Sequence, residues 1–449
     1  MRQETIKALR EIVGQEYCQV DKAIRRQHGY SEKAIPDVVV YPENSEQVAR
    51  VVKAAIEEGC PVVPWGAGTM AWRGLLPLTG GVAINLTRMK KIIEYDYENQ
   101  TAYVEAGISL KELQEVLVEH KLYWPVEPLE PDSCTLGGCI ATNASGPSKL
   151  GYGDAKFHLL GLELVTPTGD IIDTGGKTVK NVQDYDNTRF LAGSWGSLGI
   201  VTKAMLKLRP LPEKEGTVLI VLKDLEAAAK AATTIRNETL PVALELLDAA
   251  AMGILARAGY KPNSSGVGVL ARFTGFVEQV DVMIDYIKNK YQAAVTLDEE
   301  AAVAVWRARG QLFPTLAGER GAILINAAVP FTKMLEFLTK ARTELDKSNI
   351  EAIMAAHFGN AQVHIMLAQA PEAYAEVEKM VNSLADLAGS LNGMLVVDNI
   401  TDMTLARRWV ESRGKAIFEI MRRLKTSIDP HQIMAPNSKV LAYVTRPVS

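Results

Sequence analysis

The sequence is poor in the residues that staple small scaffolds or bind metal clusters. Its 449 residues include four cysteines and six histidines, and only 6% are aromatic. Cys18, Cys60, Cys134 and Cys139 show no CxxC spacing. That argues against an iron–sulfur site or a disulfide framework and fits reduced thiols in a cytoplasmic protein. No uncharged run of eighteen or more apolar residues occurs, so no direct membrane span is expected. The opening "MRQETIKALREIVG" reads as an amphipathic helix with charges throughout, without the apolar core of a signal peptide. An excess of positive charge is also lacking. The net charge of -4 gives no electrostatic case for nucleic acid or an acidic membrane surface. What remains, 47% hydrophobic and 23% charged residues, describes a soluble globular protein, long enough for two or three domains.

Residues 37–41 ("DVVVY") read as a strand, followed by the helix "NSEQVARVVKAAIEEG" with Asn44 or Ser45 as N-cap and Gly59 as stop. "PVVPW" and "GVAINL" are further strands. "ISLKELQEVLVEHKL" is a helix whose Ser109 and Glu112 suggest a capping box. "LLGLELVTPTGDII" is strand-like, with a hairpin signal at Thr168-Gly169-Asp170. The Pro-rich, charged "RPLPEKEG" at 209–216 reads as a linker. Beyond it the strands "TVLIVL", "VALELL" and "VGVLARF" alternate with helical patterns at 224–236 and 277–291, and similar alternation runs over 322–390. A helical stretch at about 403–427 precedes the Pro-broken "DPHQIMAPNSKVL".

Glycine and small polar residues cluster in three loops. "VVPWGAGTMA" fits G-x-G-x-x-G/A in letters through Gly66, Gly68 and Ala71. A Rossmann fingerprint must open a helix, yet "WRGLLPLTGG" follows, and no acidic residue ends the next strand, so a NAD-type site is rejected. The alternatives are a plain turn or a nest of backbone N–H groups around an anion such as pyrophosphate. "SCTLGGCIATNASGP" is a second loop of small or neutral hydrogen-bonding residues, through which backbone can approach a ligand closely. "AGSWGSLGIVT", the third, lacks the G-x-S-x-G of a hydrolase nucleophile elbow. Three such loops without a Lys/Arg cluster suit a long neutral cofactor with one pyrophosphate.

Taken together, "YPENSEQVARVVKAA", "PVVPWGAGT", "EPDSCTLGGCIATNASGPSKLGYGDAKFHLLGLELVTPTGDII", "GGKTVKNVQDYDNTRFLAGSWGSLGIVTKAMLKLRP" and "IDPHQIMAPNSKVL" carry a resemblance over nearly the whole chain. The chain resembles the FAD-linked oxidases of the vanillyl-alcohol oxidase type, in the D-lactate and glycolate dehydrogenase branch. The resemblance implies an α+β protein: an N-terminal helical segment (1–33), a two-lobed FAD-binding domain (34–212), an α+β cap domain (213–395) and a C-terminal helical segment (396–449) returning to the FAD domain. By the same resemblance Gly66, Ala67, Gly68 and Thr69 cradle the pyrophosphate. Ser133, Thr135, Gly137, Gly138, Ala141, Thr142, Ser145 and Gly146 line the rest of the FAD. Gly196, Gly199, Ile200 and Val201 meet its adenosine end. No His, Cys or Tyr stands in the first glycine loop, so FAD is expected to be non-covalent. Trp65 departs from the family's usual arginine, and Met70, Trp72 and Arg73 replace small residues.

"AAHFGNAQVHIML" holds His357 and His364, which by themselves could be metal ligands, acid–base groups or turn residues. The resemblance makes them two ligands of a divalent zinc, manganese or iron ion, with Asp398 as a third. Asn399 falls where the family places its catalytic base, and an amide cannot take a proton. On "AAVAVWRARGQLF", Trp306 and Arg309 match the family's W-x-x-R, which implies a bidentate hold of Arg309 on a substrate carboxylate. The implied reaction is oxidation of a small 2-hydroxy acid by hydride transfer to flavin N5. Electrons then leave to an iron–sulfur subunit or an electron-transfer flavoprotein. Two alternatives stay open: a relay subunit that keeps FAD without substrate turnover, and, more distantly, an NADPH-using reductase.

Overall fold

A computed structural model describes residues 1–29, 34–74, 80–128, 130–178, 185–317, 322–368, 374–398 and 415–436. The chain divides into two compact units, residues 1–145, 154–211 and 413–449 in the first, 146–153 and 212–412 in the second.

Among the described residues the first unit holds two larger sheets and a two-stranded one that pairs Leu122–Tyr123 with Arg209–Pro210. A four-stranded sheet runs in the order Cys18–Gln19, Val38–Val40, Val82–Asn85, Val62–Trp65, and its last three strands are parallel. Parallel strands need a crossover, and the helix Ser45–Glu58 supplies one between Val38–Val40 and Val62–Trp65. Asn44 caps that helix by accepting from the Gln47 N–H at 2.9 Å, and Gly59 stops it at φ +69°. The five-stranded antiparallel sheet runs Ile92–Asp96, Thr101–Glu105, Ile200–Lys207, Leu159–Val165, Ile171–Gly175. The expected capping box opens the helix Leu110–Glu119, with both Ser109 and Glu112 bonds present. The N-terminal helix Gln3–Val13 belongs to this unit too: Leu9 and Val13 join its core.

The second unit is built on one antiparallel sheet of eight strands, in the order Ala294–Leu297, Lys214–Leu222, Val267–Gly275, Ala243–Leu247, Ala352–His357, Gln362–Ala368, Ala322–Ala328, Met394–Val397. Strand side chains alternate between faces. One face presents Val218, Ile220, Leu244, Leu246, Val269 and Ile325 to the helices Leu225–Glu238, Val277–Lys290, Met334–Asp346 and Tyr374–Ser390. The opposite face carries polar groups.

Three expected boundaries shift. The linker contracts: Arg209–Pro210 pairs with Leu122–Tyr123, and Lys214 already faces Gly275 in the large sheet. Residues 146–153, expected inside the FAD domain, belong with the second unit. There the Gly151 N–H donates to Val242 O at 3.0 Å, and a Cβ on Gly151 would stand 2.7 Å from the Val242 side chain. The C-terminal helix is described over Lys415–Ile428, and residues 399–414 of the expected helical stretch lie outside the described residues.

Candidate functional site

Each unit holds part of the residues singled out in the sequence. In the first, a cavity of about 230 Å³ is bounded by Trp65–Ala71, by Thr135, Gly138, Thr142 and their neighbours, and by Trp195. The first glycine loop follows the strand Val62–Trp65. Its Gly66 is obligatory for packing, because a Cβ there would stand 2.1 Å from Thr135 Oγ1. Gly68 sits at φ +77° over the Trp65 ring, which a Cβ would meet at 2.9 Å. Trp65 is therefore the loop's floor. His28 packs against it at a tilt of 47°, with ring centroids 5.4 Å apart, and reaches Asn85 through Nε2 at 2.8 Å. Burial pushes the His28 pKa down, so this floor stays uncharged.

The second small-residue stretch is a helix, Leu136–Thr142, where a loop is expected from its composition. Thr135 caps it, and Gly137 lets it lie against Ala106, 2.8 Å from where a Cβ would fall. Its leading N–H groups are already used: Leu136 donates to Ile108 O, Gly137 to Ala106 O and Gly138 to Thr135 Oγ1. The N–H groups of Gly66, Ala67 and Gly68 enter no hydrogen bond among the described residues. The first loop, rather than the helix end, therefore keeps backbone N–H groups open. The third loop folds onto the helix, with Trp195 N–H donating to Ala141 O at 2.8 Å. Lys425, buried in the C-terminal helix, ties this loop down by donating to Ser197 O, Met434 O and Asp429.

Of the residues expected around FAD, Gly66, Ala67, Gly68, Thr69, Thr135, Gly138, Ala141, Thr142 and Ser145 line this cavity. Ser133 is exposed, and Gly137, Ile200 and Val201 are buried in packing. Gly146 opens the segment assigned to the second unit. Gly196 and Gly199 serve close packing against Pro64 and Leu164. Sequence reasoning missed Trp195, Asn143, Cys134 and Cys139 as cavity residues. For the two cysteines the signal was their place at either side of a glycine pair. Met70 and Arg73, noted as bulky departures, are in the wall.

In the second unit Thr217, Arg272, Glu245, His357, His364 and Asn326 share the sheet face turned away from the apolar core, as the strand registers require. Asp398 follows the last strand and accepts from the Asn326 amide. Glu245 is wholly buried and sits opposite His357. Its Oε1 accepts from His357 Nδ1, and its Oε2 takes Arg309 Nε at 2.7 Å, with Arg309 Nη2 also 2.7 Å away. Burial pushes the Glu245 carboxyl up, but the Arg309 charge and the hydrogen bonds from Arg309 and His357 outweigh it and hold it below the usual range. The His357 and His364 rings meet edge to face with centroids 4.7 Å apart. Trp306 donates from Nε1 to Thr217 at 3.0 Å and stacks beneath the Arg272 guanidinium.

The expected metal set does not fit this arrangement. Among the described residues no group of three or more His, Cys, Asp or Glu side chains is placed to hold an ion. His357 and Asp398 have protein partners, and the carboxylate nearest the histidine pair is already neutralised by a guanidinium, whose charge repels a second cation. Arg309 is also not the open fork expected of it, since Glu245 occupies its Nε/Nη2 edge. Asn399 lies outside the described residues.

Comparison with known proteins accounts for both units. Residues 36–175 match the FAD binding domain family model, and residues 211–438 match that of the C-terminal domain of FAD linked oxidases. The chain belongs to the FAD-linked oxidase family. It is 32% identical to a D-lactate dehydrogenase of Archaeoglobus fulgidus, covering 90% of this chain and 91% of that one. It is 30% identical to the glycolate oxidase subunit GlcD of Bacillus subtilis, covering 90% and 89%. The fold is shared with substrate-bound p-cresol methylhydroxylase, with a TM-score of 0.77 at 17% identity over 98% of this chain and 96% of that one. The protein is thus an FAD-dependent oxidoreductase with a fold of the vanillyl-alcohol oxidase type, and the cavity of its first unit suits the cofactor. Among the described residues no helix is long and apolar enough to cross a membrane.

Proposed function

We propose that this protein oxidises a small 2-hydroxy acid, of lactate or glycolate type, and passes the electrons to a second protein. The observation that carries the reading is the Arg309–Glu245–His357 chain on the polar face of the second unit. The relatives named above act on lactate or glycolate by their names, which supports the same substrate class. Bound FAD supplies the acceptor for the hydride that leaves the substrate's α-carbon. Arg309 keeps its Nη1 edge for a substrate carboxylate while its other edge holds Glu245. Glu245 fixes the His357 ring, because an ionised carboxylate can only accept, so His357 donates through Nδ1 and leaves Nε2 to receive the hydroxyl proton. This assigns the base to His357 rather than to the Asn399 position, and no metal takes part in the proposal.

We further propose that the cofactor is held without a covalent bond, by backbone N–H groups of Gly66, Ala67 and Gly68 and by close approach at Gly138. Acid precipitation should release all the yellow colour. The electron acceptor proposed is an iron–sulfur subunit or an electron-transfer flavoprotein, since the four cysteines have no cluster spacing. The test of the reaction is anaerobic photometry with a panel of D- and L-2-hydroxy acids. At least one should bleach the flavin. If dithionite bleaches it and none of the acids does, the substrate reading fails and a relay subunit takes its place.

A further inference from the structure

Two thiols stand together in the wall of the FAD cavity. Cys134 precedes the cap residue Thr135, and Cys139 lies one turn into the helix Leu136–Thr142. The Cys139 Sγ–H donates to Cys134 Sγ at 3.6 Å, a van der Waals contact between sulfurs. Both side chains are buried, and both line the cavity. A disulfide requires a sulfur separation of about 2.0 Å, so closing this pair needs a movement of about 1.6 Å, within reach of side-chain rotation. The hydrogen bond to Cys134, with burial, holds the proton on Cys139. Thiols so enclosed react slowly with oxidants in bulk water. The oxidant that the protein itself supplies is FAD, which the same cavity suits. Cys18 and Cys60, also buried and free, are not part of that cavity wall.

We infer that Cys134 and Cys139 form a dithiol–disulfide couple that exchanges two electrons with the FAD bound in their cavity. In the oxidising direction two S–H bonds break and one S–S bond forms. Two electrons and one proton pass to FAD, giving FADH⁻, and the second proton goes to solvent. In the reverse direction FADH⁻ and one proton reduce the disulfide and FAD is regenerated. The pair would then hold one substrate's electrons while the flavin accepts the next, which deepens the oxidase reading but depends only on FAD binding.

The experiment is an anaerobic dithionite titration of holoprotein first oxidised with excess ferricenium, which withdraws electrons through the flavin, and then freed of it. The expected uptake is the flavin's two electrons plus about two more, as a two-electron thiol couple requires. Cys134→Ala and Cys139→Ala should each take up only the flavin's two. On the wild-type protein, alkylation in denaturant followed by peptide mapping should find Cys134 linked to Cys139 before the titration and both alkylated after it. This mapping serves if the variants fail to fold. Wild-type uptake confined to the flavin's two electrons overturns the inference, as does the extra uptake surviving in both variants. Colour that acid leaves on the wild-type protein, but not on one cysteine variant, would mean a thioether to the flavin and would also overturn it.

Discussion

The two units handle polarity in opposite ways. The cavity of the first sets backbone and small side chains beside the larger Trp65, Met70, Arg73 and Trp195, and it admits close approach where a Cβ is missing, as at Gly66 and Gly138. The polar face of the second is made of long charged side chains that satisfy one another, Arg309 with Glu245 and Glu245 with His357. The first arrangement leaves the backbone N–H groups of Gly66, Ala67 and Gly68 open to a ligand. The second buries charge, which is costly unless every partner is present. A substitution in the first unit should therefore act on cofactor content, and one in the second on turnover and stability.

The sharpest separation comes from His357→Gln. If His357 receives the hydroxyl proton, kcat/KM should fall by about 10²–10⁴-fold, the usual worth of a general base, with FAD content unchanged. Steady-state kinetics with the acid that bleaches the wild-type flavin, beside the flavin-to-protein absorbance ratio, reads both halves. Next in size are Gly66→Ala and Gly138→Val. The added carbon in the first must displace Thr135, a strain of about 1–3 kcal/mol, and the second fills the cavity itself. Both proteins should purify with little or no flavin while the second unit stays folded. Full flavin content in both would break the contrast between the units.

How far the sequence revealed these arrangements follows the same contrast. The cavity of the first unit was legible because its parts are contiguous: Gly66–Thr69 and Thr135–Ser145 are short stretches whose composition announces close backbone approach. The helical form of Leu136–Thr142 was not, since two adjacent glycines disfavour a helix in isolation and only docking on Ala106 fixes it. The polar face of the second unit was half legible. Arg309 and the histidine pair stood out, but Glu245 did not. It lies in the apolar run "VALELL", 64 residues from Arg309 and 112 from His357, and only strand register brings the three together. That missing carboxylate turned an expected metal site into an ion-paired one.

Smaller effects refine the account. Arg309→Lys keeps the charge but loses the planar donor fork, so it cannot serve Glu245 and a substrate carboxylate at once. KM should rise about tenfold, equivalent to ~1.4 kcal/mol, with kcat less affected. An unchanged KM would remove Arg309 from substrate binding. The smallest effect is on acid stability. Glu245 titrates lower in the folded protein than in the unfolded chain. Its stabilisation is therefore complete above the ordinary glutamate pKa of about 4.3 and is lost as pH falls through the lower folded value. Denaturation midpoints of the second unit should decline through that window, and less steeply in Glu245→Gln.

The most direct measurement of the central claim is anaerobic flavin reduction in the double variant Arg309→Met/Glu245→Gln. Removing both charges together leaves no unpaired ion in the interior, so folding should survive. The account predicts full FAD content, full bleaching by dithionite, and no bleaching by the 2-hydroxy acid that reduces the wild-type protein. Bleaching by that acid at the wild-type rate would contradict it.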